Sequence, residues 1–167
     1  MTKKNKIIFI CSILFAISFC IFKFINSKSE LIFLDDGFLI NFIGVILGTD
    51  VAIITFIYSS LDKIEEHLNK QFSKDDAKHK RMLKLLYSSV KELIDDGKLI
   101  FGLFIGILLI CVICYIDFPF PILITYTTKL NILKYFKIVV LVFLLYAIYD
   151  SITTLFNLIM VTVKSKN

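Results

Sequence analysis

Two aspartates, Asp50 and Asp150, lie inside long apolar stretches. A charged group at the centre of a bilayer costs about 2.5–3.5 kcal/mol on insertion scales, so an intramembrane acid marks an ion or proton path or a polar contact between helices. Around Asp150, the residues Tyr146, Thr153, Thr154 and Asn157 fall on one helical face. Asp50 shares its face with Ile43, Ile46, Ile54 and Ile57 and, at about 100° per residue, points away from Asn41. Neither stretch supplies a Lys or Arg as a partner. Two carboxylates at similar depth would repel one another if both were ionised in a dry interior. Proton relays have this arrangement, and so do polar groups that join neighbouring helices.

Other reactive residue types are present without a matching pattern. Cys111 and Cys114 form a C-x-x-C, but their neighbours are apolar, which disfavours a reactive thiolate; with Cys11 and Cys20 they read as small buried residues of membrane helices. His67 and His79 lie near Glu65, Glu66, Asp75 and Asp76 at spacings that match no metal site. No phosphate-binding loop, zinc-hydrolase motif or nucleophile elbow occurs, and the polar loops are too short for a catalytic domain. The expectation is a protein that is not an enzyme and takes no metal or other cofactor.

The elements that position these residues follow from hydropathy. The 167-residue chain is 57% hydrophobic, with seventeen Phe, six Gly and two Pro, and its mean hydropathy is +0.83. Four apolar runs are long enough for a hydrocarbon core about 30 Å thick: roughly Ile7 to Ile25, Phe38 to Tyr58, Leu99 to Ile116 and Ile138 to Val163. Lys3, Lys4 and Lys6 before the first run resemble a signal peptide, but no small-residue cleavage site follows, so the segment is expected to be a retained span. Between the second and third runs, residues 59–98 carry nine Lys or Arg and eight Asp or Glu. There Leu61, Ile64, Leu68, Met82, Leu86, Val90 and Leu93 recur at helical spacing. The second span is expected to continue as a helix, break near Phe72, restart at a capping box of Ser73 and Asp76, and end at Gly97. Residues 122–133 are apolar but short, and read as interfacial or re-entrant.

The fold class is therefore all-α: a polytopic membrane protein with four transmembrane helices and a cytoplasmic helical stem. It divides into a first helix pair (residues 1–58), the stem (59–98) and a second helix pair (99–167). Fourteen of the nineteen basic residues fall on the N-terminal, stem and C-terminal segments, which places both termini and the stem in the cytoplasm and the chain in the inner (plasma) membrane. Lys129, Lys134 and Lys137 run against that rule. The net charge of +5 is thus a topology signal rather than a sign of direct nucleic-acid binding.

The second span also carries a small or polar stripe of Asn41, Gly44, Gly48, Ala52, Thr55 and Ser59, and the third has Gly102 and Gly106. Both contain G-x-x-x-G, which lets helix backbones approach closely, within one chain or between copies. The apolar stripe of the stem would pack on its own return helix, a second copy or a cytoplasmic protein.

This plan of four spans and a charged stem, with its Lys-, Ile- and Asn-rich composition, resembles small four-span membrane components of bacterial anti-phage systems, especially the membrane subunit of the Kiwa system. The resemblance covers most of the chain as architecture and carries over no functional residue. It implies an oligomeric envelope sensor working with a separate cytoplasmic, DNA-binding effector. The expected function is a non-enzymatic membrane scaffold or sensor that forms homo-oligomers in the lipid bilayer and docks a cytoplasmic protein through its stem. The alternative is an ion-conducting pore or effector with Asp50 lining the path.

Overall fold

The computed structural model describes residues 3–25, 32–72, 76–115 and 126–164. The described residues form four long helices, α1 (Lys3–Phe24), α2 (Asp36–Phe72), α3 (Asp76–Tyr115) and α4 (Tyr126–Lys164), with a single 3-10 turn at Ile32–Leu34. Each is long and apolar enough to cross a membrane, as the hydropathy predicts. Large apolar side chains stand on their outer faces, among them Phe24 at 90% exposure and Phe56 at 72%. Apolar exposure on this scale suits a lipid surround better than water.

Local chemistry explains the helices. Asp35 caps α2: its Oδ2 accepts the Phe38 N–H at 3.1 Å, and Asp36 adds negative charge to the first turn. Hydroxyls on apolar faces turn back onto their own helix. Thr55 Oγ1 donates to the Val51 carbonyl at 2.8 Å, and Thr153 Oγ1 to that of Tyr149 at 2.9 Å.

Two sequence expectations change here. The return helix does not end at Gly97; α3 runs unbroken from the charged segment into the apolar one. Gly97 has no positive φ, and one glycine weakens a helix by only about 1 kcal/mol, too little to stop one packed on both sides. Residues 126–133 are neither re-entrant nor a separate interfacial segment, since α4 includes them without a break. No Gly or Pro follows Pro121 to interrupt it. The expected cap at Ser73, and residues 122–125, lie outside the described residues.

The chain divides into two compact units: residues 1–44 with 102–146, and residues 45–101 with 147–167. In the first, Leu39, Ile43, Ile107, Ile138 and Leu144 are almost wholly buried. Edge-on aromatic pairs join α1 to α4, Phe15 with Phe143 at 5.3 Å and Phe22 with Tyr135 at 5.6 Å. The second unit holds a hairpin of α2 and α3 with the last part of α4. Its core is Ile57, Leu68, Leu86, Val90, Leu93 and Leu158, with Leu61, Ile64 and Met82 packed against it. The Tyr87 hydroxyl donates to Glu65 at 2.7 Å across the hairpin.

Candidate functional site

The second unit gathers three acids from three helices. Asp50 of α2 is 5% exposed and Asp96 of α3 is 9% exposed. The charges of Asp150, on α4, and of Asp50 both act on Asp96. The Ser151 hydroxyl, also buried, donates to Asp96 Oδ2 at 3.3 Å. Asp50 Oδ2 is buried without a hydrogen-bond partner among the described residues.

Gly97 makes this meeting possible. A Cβ there would lie 2.6 Å from Asp50 Oδ2 and 3.0 Å from Ile54 Cδ1, so any larger residue would compete with the carboxylate for the same space. The contact sets Asp50 at the level where the charges of α3 begin, beside Asp95, Asp96 and Lys98. Asp50, inside the apolar run of α2, thus faces the end of the charged segment of α3 at the root of the hairpin. Asp95 and Lys98 are exposed and pair with each other at 3.3 Å.

The inward turn of the Asp50 face agrees with the cost of leaving a carboxylate against lipid. A ring of acids around an axis shared between copies needs that face outward, whereas in this chain Asp50 points at α3. The face expected around Asp150 is divided. Thr154 is buried, Asp150 half-buried, and Thr153 and Asn157 exposed, while Tyr146 belongs to the first unit. Asp96 and Ser151 complete the cluster and are not among the residues that the sequence singles out.

The small-residue stripe lies outside the chain's own packing. Asn41, Gly48, Ala52, Thr55 and Ser59 are exposed and Gly44 is half-buried. A Cβ at Gly44 would meet the Phe104 ring at 3.9 Å, an ordinary contact, and one at Gly48, Gly102 or Gly106 would meet nothing within 4 Å. Among the described residues, none of these glycines serves close helix packing. Beside the stripe, Ala52, Phe56 and Ile57 of α2 and Leu155, Leu158 and Ile159 of α4 line an open apolar groove of about 630 Å³.

The stem residues expected to dock a partner require a correction. Leu68, Leu86 and Leu93 are each 1% exposed, and together with Leu61, Ile64, Met82 and Val90 they form the hairpin's own core. Two helices of this length must bury an apolar stripe, and the return helix is the nearest surface for it. Outward the hairpin presents charges, Lys63, Glu66, Lys70, Lys84 and Lys91, with Leu85 and Tyr87 exposed among them.

The first unit holds a different polar contact. Lys137 Nζ lies 2.5 Å from Asp36 Oδ1, with side-chain exposures of 14% and 27%, and within 3.3 Å of the Leu34 carbonyl. Asp36 Oδ1 has no hydrogen-bond partner among the described residues, so charge attraction carries the contact. Cys111, buried, places its thiol in reach of Asp36, and Lys129 Nζ reaches the Cys114 carbonyl at 3.3 Å. Lys129 and Lys137, which run against the charge rule, therefore both have acceptors. Among the described residues, no group of three or more His, Cys, Asp or Glu is placed to hold a metal ion. His79 Nε2 is buried without a partner, and the His67 side chain lies outside the described residues.

No family model, curated protein or solved structure matches this chain.

Proposed function

We propose that the protein is a non-enzymatic, multi-pass scaffold or sensor of the inner (plasma) membrane, with its termini and hairpin in the cytoplasm. It assembles with copies of itself through the open stripe of α2 and docks a cytoplasmic protein on the charged outer face of the hairpin. The observation that carries this reading is continuity. α2 and α3 each pass without a break from an apolar segment into the charged hairpin, so a shift in packing between spans is passed along rigid helices to the hairpin. The uncovered small residues favour self-association, because small side chains let membrane helices approach closely. The likeness in plan to the Kiwa-type membrane subunit extends the proposal to envelope sensing in anti-phage defence, beside a DNA-binding effector.

Gly48→Leu tests the assembly. A Cβ there meets nothing within 4 Å among the described residues, so the fold is expected to survive while the complex dissociates. Native mass measurement in detergent should show a wild-type oligomer and a variant monomer with unchanged helical content. A monomeric wild type removes the scaffold reading.

A further inference from the structure

The three acids at the hairpin root raise a question that scaffolding does not answer, namely how they coexist in so little water. A buried carboxylate needs a cation, hydrogen-bond donors or a proton. No Lys, Arg or His pairs with Asp50, Asp96 or Asp150 among the described residues. Ser151 gives one hydroxyl to Asp96. Asp50 Oδ2, on a side chain 5% exposed, has no donor and lies against α3 at Gly97, next to Asp96.

The surrounding charges do not relieve the cluster. On α3, Glu92 adds a further negative charge near Asp96, Lys91 is exposed, and Asp95 and Lys98 neutralise each other at the surface. On α4, Tyr149 is exposed, and no Lys, Arg or His lies within three turns of Asp150. On α2 the nearest other charged residues are Asp36 and Asp62, each three turns or more away. No described group of acids is placed to hold a metal ion. A proton is the ligand that remains.

We propose that Asp50 and Asp96 form a shared proton-binding site, and that the bound proton holds α2 against Gly97 of α3 at the root of the hairpin. A protonated carboxyl donates its O–H to a neighbouring carboxylate oxygen, which supplies the donor that Asp50 Oδ2 lacks. The sign of the pH dependence follows. The contact is complete while the proton is bound. It weakens as rising pH removes the proton and leaves like charges facing one another, and α2 and α3 then separate at the point where they enter the hairpin.

Infrared spectroscopy of the full chain in lipid nanodiscs tests this. At about pH 5.5 exposed carboxyls are largely ionised, so the carbonyl band of a protonated acid is expected in the wild type there and should fall as pH rises through about 6, the value to which burial and the neighbouring acids push Asp96. Backbone amides near Gly97 should exchange with deuterium faster over the same pH range. Asp50→Asn and Asp96→Asn, which keep volume and polarity, should each remove most of the band. Absence of the band from the wild type at about pH 5.5 overturns the proposal. So does a band that keeps its full amplitude in Asp50→Asn and Asp96→Asn alike. A band that disappears on adding sodium or calcium at fixed pH also overturns it, because the ligand is then a metal cation. The wild-type measurement stands even if a variant fails to fold.

Discussion

The two compact units each bury carboxylates and neutralise them by different means. In the first, Asp36 faces Lys137 at 2.5 Å, a full opposite charge delivered by another helix. In the second, Asp50 and Asp96 are more deeply buried and no cation reaches them among the described residues. An ion pair is fixed by the sequence, because each charge is neutralised by a side chain of the chain itself. An acid cluster without a cation depends on what the solvent supplies. One unit is therefore built to stay closed, and the other is built to respond.

The largest expected effect breaks the paired side of this contrast. Lys137→Met leaves Asp36 half-buried without its cation, and removing one partner of such a pair costs up to about 3 kcal/mol. Unfolding of the full chain in mixed micelles by a denaturing detergent should show it. The double variant Asp36→Asn with Lys137→Met should recover most of the loss, because no uncompensated charge remains. Equal loss in the single and double variants would show that packing of the lysine stem, not charge, matters there.

On the unpaired side, Gly97→Leu fills the space that Asp50 Oδ2 occupies. Overpacking of this kind costs about 1–3 kcal/mol. Gly102→Leu is the internal control, since nothing lies within 4 Å of its Cβ position, and it should leave unfolding within about 0.5 kcal/mol of wild type. If both glycines tolerate Leu equally, Asp50 does not rest against α3.

The difference between the units also shows what the sequence makes legible. Four runs of span length predict four helices because hydropathy over about twenty residues is a strong signal. Turning Asp50 inward needs only the cost of an acid against lipid. Asp96 is harder to see, because its neighbours Asp95 and Lys98 make the segment read as the polar end of a stem. The signal is periodicity carried through Gly97. Leu86, Leu93, Ile100 and Ile107 recur every seven residues and are all buried, and Ser89 and Asp96, seven apart, flank them on the same side. A glycine taken as a helix end cuts that series in two. The Asp36–Lys137 pair is less legible still, because it joins residues a hundred positions apart and depends on how α2 and α4 pack. The stem's apolar stripe is legible as a stripe. Its partner is not, since periodicity gives a buried face without saying what buries it.

The smallest expected effect measures the charge of the unpaired acids. Ser151→Ala removes the hydroxyl that donates to Asp96 Oδ2 at 3.3 Å. A hydrogen bond to a neutral acceptor contributes about 1 kcal/mol, and one to a charged group about 1.5–3 kcal/mol. Below about pH 6, with the cluster protonated, Ser151→Ala should therefore destabilise the chain by about 1 kcal/mol. The loss should grow as pH rises, because the hydroxyl then faces a carboxylate. The same detergent unfolding series, run below and above about pH 6, reads both values. A loss that is already large on the acid side and unchanged above it means Asp96 is charged throughout, and the second unit would then neutralise its acids by donors alone. A loss that rises with pH in Ser151→Ala, while the cost of Lys137→Met stays constant, separates the two units by the one property in which they are argued to differ.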